Sequence, residues 1–216
     1  MNYKSLKARH RAERGGWNNN NLSLRVHRAL SWIKAAEQAG SEDARFLFYW
    51  IAFNAAYAKP ITKHESEGES ESFRSFFKTM LNVDRDGRIY ETLWQSYPGP
   101  IRILLENKFV YGPFWRYHAG LGERDWEVKF ATSRKLAGRA LESKDSLSLL
   151  TNLFSRIYVL RNQIVHGGAT WGSKVNRDQI RDCTNLLRAL VPCFVSLMMD
   201  SPNRSWDAPS YPVVDG

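Results

Sequence analysis

Arg161, Asn162 and His166 are the residues of this chain whose types and spacing best suit chemistry on a phosphate. Arginine stays charged and binds phosphate through two parallel hydrogen bonds. Histidine exchanges a proton near neutral pH, so it can take one from a 2′-hydroxyl or give one to a leaving oxygen. Asn162 could hold either the imidazole or a phosphate oxygen. This combination predicts cleavage of a phosphodiester, and none of the three residues needs a metal ion for it.

The segment that must position these residues is predicted to be a helix over roughly residues 146–166. No proline or glycine occurs from Ser146 to Val165. Gly167 and Gly168 follow, and they accept the positive φ with which many helices end. Apolar residues recur at helical spacing along the segment, at Leu147, Leu150, Phe154, Ile157 and Ile164.

Helical geometry separates the arginine from the histidine. At about 100° per residue, Asn162 and His166 share one polar line with Ser155, whereas Arg161 lies about 140° from His166. Arg161 is then at the edge of the apolar stripe, beside Tyr158 and Val165. One straight helix does not direct both groups at one small target, but a distorted last turn or a second copy of the helix could. The pattern therefore suggests a site assembled between two chains.

Two segments together resemble the HEPN superfamily. Residues 161–166 read Arg-Asn-Gln-Ile-Val-His and resemble its R-x4–6-H motif, in which a polar residue often follows the arginine. Residues 45–57 resemble the aromatic second helix of the larger bacterial members, with a W-x-x-F-N-x-x-Y pattern at Trp50, Phe53, Asn54 and Tyr57. The resemblance covers roughly residues 22–58 and 146–200.

The resemblance implies an all-α bundle, usually a homodimer in which the motifs of both chains face each other in a cleft. Many members are metal-independent endoribonucleases of toxin–antitoxin, phage-defence or RNA-processing systems. Arg161 and His166 match their catalytic pair, and Asn162 would orient it. The implied partners are RNA, a second copy and an antitoxin or regulatory protein, with no cofactor. Other members keep the fold as non-catalytic nucleotide-binding, RNA-binding or dimerisation modules, and this is the alternative prediction.

Three regions follow from the distribution of residue types. Residues 1–21 are predicted to be a basic flexible arm, residues 22–200 a HEPN-like helical domain, and residues 201–216 an extended tail. An insertion over about 59–145 has no counterpart in the resemblance. Besides the motif helix, the predicted helices cover 22–39, about 41–58, 73–82, 87–96, 99–109, 123–142 and about 176–199, and 59–72 is predicted to be an acidic loop.

Two further features leave a structural and a functional interpretation open. The aromatic and basic segment 111–118 is interpreted as a plug in the core, with stacking on unpaired bases as the alternative. Asn54, an amide among aromatic residues, needs hydrogen-bond partners. We interpret it as structural, with a substrate contact as the alternative.

Composition narrows the class of partner. The net charge of +9 and the pI near 9.7 favour an anionic partner such as nucleic acid. Cys183 and Cys193 lie too far apart on one predicted helix to form a disulfide with each other. Cysteines without a disulfide are typical of proteins in a reducing cytoplasm. No secretory leader, metal-binding spacing or apolar run long enough for a membrane is evident. We therefore expect a cytoplasmic protein that does not enter a membrane.

Overall fold

A computed structural model describes residues 1–58, 69–122, 124–174 and 176–211. These residues are largely helical and contain no strand, which confirms the all-α class. The α-helices of this described part are α1 Tyr3–Glu13, α2 Asn20–Gln38, α3 Glu42–Tyr57, α4 Glu69–Val83, α5 Arg88–Glu91, α6 Pro98–Glu106, α7 Gly112–His118, α8 Trp126–Glu142, α9 Ser146–Val165 and α10 Arg177–Met199.

The helix boundaries agree with the periodicity of the sequence except at a few positions. Helix α2 begins two residues earlier than predicted, and Asn19 caps it, because its side chain accepts a hydrogen bond from the Leu22 amide at 3.0 Å. The predicted acidic loop 59–72 is too long, since α4 begins at Glu69, and residues 59–68 lie outside the described part. Segment 111–118 is largely the short helix α7 rather than a loop.

An aromatic core joins α3, α4, α9 and α10. Phe53 of α3 lies at its centre, with ring centroids 4.5 Å from Phe154 and 6.0 Å from Phe77. Its side chain is completely buried. Phe194 of α10 closes the cluster at 6.3 Å from Phe53. The core therefore fixes α9, which carries the motif, against α3, which carries the second aromatic pattern.

The prediction of a basic flexible arm over residues 1–21 is wrong for Tyr3–Glu13. This segment is α1, and it packs on α2 and α10 with Leu6 and His10 buried. Arg9 adds an ion pair to Asp200 at the end of α10, with 2.6 Å between Nη2 and Oδ1. Leu6 and His10 are four positions apart, so they lie on the same face of a helix and can both point inward. Basic residues dominate the composition around them, and composition therefore does not reveal this buried face. Only the surfaces of α2 and α10 make this helix stable.

His10 makes stability depend on pH. Burial, reinforced by the charges of Lys7 and Arg14, lowers the pKa of His10 from 6.5 to about 4. Between these values the unfolded chain binds a proton that the folded chain does not, so stability falls as the pH decreases from about 6.5 to about 4. The slope for one such group is at most about 1.4 kcal/mol per pH unit.

We therefore expect His10→Gln to flatten the pH dependence of the free energy of unfolding between pH 4 and 6.5. Urea denaturation at a series of pH values measures it. Some slope will remain, because burial also lowers the pKa of His27. The exposed His118 provides the control His118→Gln, which should keep the wild-type slope. An unchanged slope in His10→Gln would refute this assignment.

Residues 204–211, here called the C-terminal strap, lie along α2 without forming a helix. Side chains of α2 and its N-cap donate hydrogen bonds to successive strap carbonyls: Asn19 to Arg204, Asn21 to Trp206, Arg25 to Asp207 and Ala208, and Arg28 to Tyr211. The buried Arg25 also donates to the Ala56 carbonyl in the last turn of α3 at 2.9 Å. The strap is thus fixed to both α2 and α3.

The insertion is fastened to α9 by a buried cation. The guanidinium of Arg156 lies 4.3 Å from the ring centroid of Tyr111 and 5.4 Å from that of Phe130. It also donates to the Ser133 hydroxyl at 3.0 Å. Burial lowers the pKa of Arg156 to about 10, so it stays charged at neutral pH. Tyr111, Phe130 and Ser133 of the insertion therefore pack against the motif helix.

Helix α10 is long and apolar enough to cross a membrane, so the expectation that no such run exists is wrong. Within the protein, however, 78% of its apolar window is buried. Its contacts with α2, α3 and α4 account for this burial. Cys183 and Cys193 both lie on α10, buried and unpaired, as their spacing predicts.

Candidate active site

Hydrogen bonds fix both ends of the motif helix α9. At its start, the carboxylate of the N-cap residue Asp145 accepts from the Ser148 amide at 3.0 Å. At the other end, the Gly167 amide donates to Ile164 and the Gly168 amide to Gln163. Gly167 has a φ of +72°, and a Cβ on Gly168 would lie 3.0 Å from the Gln163 carbonyl oxygen. The two glycines therefore stop the helix directly after His166.

Arg161 and Asn162 form a pair within the motif. Arg161 Nη1 donates to the Asn162 side-chain oxygen at 2.7 Å. The guanidinium carbon is 6.0 Å from the ring centroid of Tyr158. Both side chains are partly buried. The amide thus orients the arginine, and the arginine keeps further N–H donors for an anion.

His166 caps the helix and is exposed. Its backbone amide donates to the Asn162 carbonyl at 3.0 Å. Its imidazole has no hydrogen-bond partner in the described part of the chain. Val165, next to it in the chain, and Trp171, five positions after it, are exposed to 50% and 71%. The imidazole is thus exposed, and the chain on either side of it carries exposed apolar side chains.

Gln163, which sequence reasoning missed, joins the motif to its surroundings. Its side chain donates to the Phe109 carbonyl at 2.6 Å and accepts from the Asn176 side chain at 3.0 Å. The first bond fixes the insertion and the second the residue before α10. A polar side chain between Asn162 and Ile164 was the only signal in the sequence, and it does not identify either partner.

An ion pair fixes the start of α10 against α3. The two terminal guanidinium nitrogens of Arg177, Nη1 and Nη2, donate to the Asp43 carboxylate at 2.8 and 2.6 Å. This pairing lowers the pKa of Asp43 and raises that of Arg177. Together with the bond from Asn176 to Gln163, it anchors the segment that follows the motif.

The principal cleft near the motif has a volume of about 430 Å3 and includes Arg161. It is bounded by α2, α3, α9 and the C-terminal strap. The polar and aromatic side chains that line it are Arg28, Trp32, Trp50, Asn54, Tyr57, Tyr158, Arg161, Ser210 and Tyr211. We call it the Arg161 cleft. His166 is not among the described residues that line it, so this cleft does not bring the arginine and the histidine together.

The two sequence motifs meet at this cleft. Trp50 of α3 has its ring centroid 6.1 Å from that of Tyr158 on α9, and Phe53 packs on Phe154 below it. Asn54 lines the cleft beside them. The structural interpretation of Asn54 predicts a hydrogen bond of its side-chain amide, and none is present among the described residues. In this part of the chain, the side-chain amide therefore keeps its donors and its acceptor for a ligand at the cleft wall.

The described lining of the cleft is positively charged. Among the described residues, Arg28 and Arg161 are the only charged side chains that line it. Arg28 donates to the Tyr211 carbonyl at 2.6 Å, which places the strap at the cleft edge. No pattern in the sequence indicates that Arg28 and the strap meet, because Arg28 and Tyr211 are some 180 residues apart along the chain. An anion is the ligand that this charge favours.

The aromatic segment 111–118 has one buried ring and several exposed ones. Phe114 is buried, but its ring contacts Phe109, His118 and Trp126 of the insertion and it is not part of the main core, whereas Trp115 and Tyr117 are exposed. Trp115 donates to the same Phe109 carbonyl that Gln163 reaches, at 2.8 Å. Phe109 is itself 46% exposed, and Lys108 lies over its ring. An exposed aromatic and basic surface therefore adjoins the motif end of α9.

Comparison with known proteins adds no relative. No family profile, no protein of curated function and no solved structure matches this chain.

Proposed function

We propose that this protein is a metal-independent endoribonuclease of the HEPN superfamily, with a toxin or phage-defence role in the cytoplasm. The observation that carries the proposal is the arrangement at the end of α9. Asn162 orients Arg161 at the mouth of a cationic cleft, and His166 caps the same helix on an exposed surface. The R-x4–6-H resemblance supplies the reaction class.

In the proposed reaction, the 2′-oxygen of the substrate forms a bond to phosphorus while its proton passes to the imidazole of His166. Arg161 binds the phosphate oxygens and stabilises the charge that develops on them. The bond from phosphorus to the 5′-oxygen breaks, and that oxygen takes a proton from an imidazolium or from water. The products are a 2′,3′-cyclic phosphate and a 5′-hydroxyl. DNA lacks the attacking hydroxyl and stays intact.

A homodimer accounts for the separation of Arg161 and His166. His166 is not among the described residues that line the Arg161 cleft. Val165, next to it in the chain, and Trp171, five positions after it, expose apolar surface. A second copy that covers this surface would complete the site with its own motif residues. The exposed aromatic and basic surface at Phe109 and Trp115 supports single-stranded RNA as the partner. An antitoxin or regulatory protein would be a further partner.

The test combines purified protein with growth in a bacterial host. Wild-type protein is expected to cut single-stranded RNA in the presence of EDTA, to leave the DNA of the same sequence intact and to give cyclic phosphate ends. Induction in cells should arrest growth and fragment total RNA, and induction of His166→Ala should do neither. Intact RNA under all conditions, beside an active reference ribonuclease, would refute the proposal.

The alternative is a non-catalytic nucleotide-binding, RNA-binding or dimerisation module of the same fold. The exclusion of His166 from the cleft that holds Arg161 favours it. Under this alternative, RNA binds without being cut, and His166→Ala binds RNA as well as the wild type does. A gel-shift assay run beside the cleavage assay separates the two functions.

A further inference from the structure

The Arg161 cleft offers aromatic faces to a ligand. Trp32 is 36% exposed at its wall, and its ring is supported by Phe48, with 5.6 Å between centroids. The ring centroid of Tyr158 lies 6.1 Å from that of the buried Trp50. Rings that are held by neighbouring rings lose little freedom when a flat group stacks on them. Aromatic side chains of this kind stack on nucleic acid bases without strong preference for one base.

The same cleft offers cations from two helices. Arg28 comes from α2 and Arg161 from α9. In the described part of the chain, each makes one hydrogen bond, Arg28 to the Tyr211 carbonyl and Arg161 to Asn162. A guanidinium has five N–H donors, so both keep donors for an anion. No described carboxylate lines the cleft, so none of the described lining residues would repel a bound phosphate.

An amide completes the lining. Asn54 has no side-chain hydrogen bond among the described residues, and its oxygen and nitrogen can accept from and donate to the edge of a base. The volume of about 430 Å3 lies in the range of small-molecule sites. A sugar phosphate would leave the aromatic walls unused, and an apolar ligand would leave both arginines unused. A ring that carries a phosphate uses all of these groups.

We propose that the Arg161 cleft binds one nucleotide of single-stranded RNA within a single chain. Its base lies against Trp32 and Tyr158 with its edge toward Asn54, and its phosphate lies between Arg28 and Arg161. The inference rests on the proposed function, because it assigns a substrate subsite to the same arginine. It adds Arg28, Trp32 and Asn54 as residues that bind substrate.

The test is titration of the full-length protein with the four ribonucleoside 5′-monophosphates, followed by tryptophan fluorescence and calorimetry. At least one monophosphate is expected to bind saturably. The corresponding nucleoside and inorganic phosphate should each bind with an affinity about tenfold or more lower. Trp32→Ala and Arg28→Ala should each lower the affinity for the monophosphate by about tenfold or more. The matched controls are Trp94→Ala, at a partly buried position, and Arg102→Ala, at an exposed one; both lie outside the cleft and should bind as the wild type does. Thermal melts verify that all four variants are folded.

Three results would overturn the inference: no saturable binding of any monophosphate, inorganic phosphate binding as tightly as the nucleotide, or folded Trp32→Ala and Arg28→Ala both binding like the wild type. The outcome is separable from that of the ribonuclease proposal. Cleavage of RNA without nucleotide binding in the cleft contradicts the subsite alone. Nucleotide binding that depends on Trp32 and Arg28, without any cleavage, contradicts the ribonuclease alone.

Discussion

Arg161→Ala and His166→Ala are each expected to lower the rate of RNA cleavage by roughly 10²–10⁴-fold. Arg161 would lose its contact with the charge that develops on the phosphate, and His166 its proton transfer. Single-turnover cleavage of a fluorescent single-stranded RNA measures both rates. Arg161→Lys should lie between wild type and Arg161→Ala, because an ammonium keeps the charge but not the two-pronged geometry.

Arg102→Ala and His118→Ala provide controls of the same residue types at exposed positions of the insertion. Both should cut RNA at the wild-type rate. If the alanine variants of Arg161 and His166 retain cleavage within about tenfold of wild type, these residues are not the catalytic pair.

Mixing the two inactive variants tests the assembly of the site. Because His166 lies outside the cleft of its own chain, we expect each active site to combine residues of two chains. A dimer of Arg161→Ala with His166→Ala then contains one intact arginine and one intact histidine. Mixed chains should therefore recover part of the cleavage that neither variant shows alone. No recovery, despite proven exchange of chains, would place the complete site within one chain.

Phe53→Ala is expected to lower the free energy of unfolding by about 3–5 kcal/mol. Phe53 is completely buried and in ring contact with side chains of α3, α4, α9 and α10. Removing its ring leaves a cavity that these helices cannot close by a small shift. Because domains are stable by only about 5–15 kcal/mol, this is a large share of the total. Urea denaturation followed by circular dichroism measures it.

Phe109→Ala is the matched control, since it removes the same ring from a half-exposed position in the insertion. It should cost less than about 1 kcal/mol. Equal losses at the two positions would mean that the aromatic cluster around Phe53 does not dominate the stability of the bundle.

Much of the fold was predictable because its causes are local. Amphipathic spacing predicted α2, α3, α9 and α10 to within a few residues. Gly167 and Gly168 predicted the end of the motif helix, because few other residues adopt the required backbone conformation. The angular separation of Arg161 from His166 also follows from helical geometry alone. These properties depend on residues that are close together in the chain.

The sequence misled where a tertiary surface changed the meaning of a local pattern. Segment 1–21 reads as a solvated arm, yet Leu6 and His10 are buried because α2 and α10 present a matching surface. Helix α10 has the length and apolarity of a membrane span, yet its apolar window packs inside the bundle. Composition records which residues are apolar, but not what covers them.

By itself, the sequence determined the helical class, the position of the motif at a helix end and the types of group available for chemistry. Only the tertiary structure decided what surrounds Arg161. Arg28, Asn54, Arg161 and Tyr211 come from four distant segments, and their convergence depends on packing at Phe53 and on side chains that bind strap carbonyls. A backbone carbonyl has no sequence signature, since every residue carries one. The cleft therefore became visible only when the chain was folded.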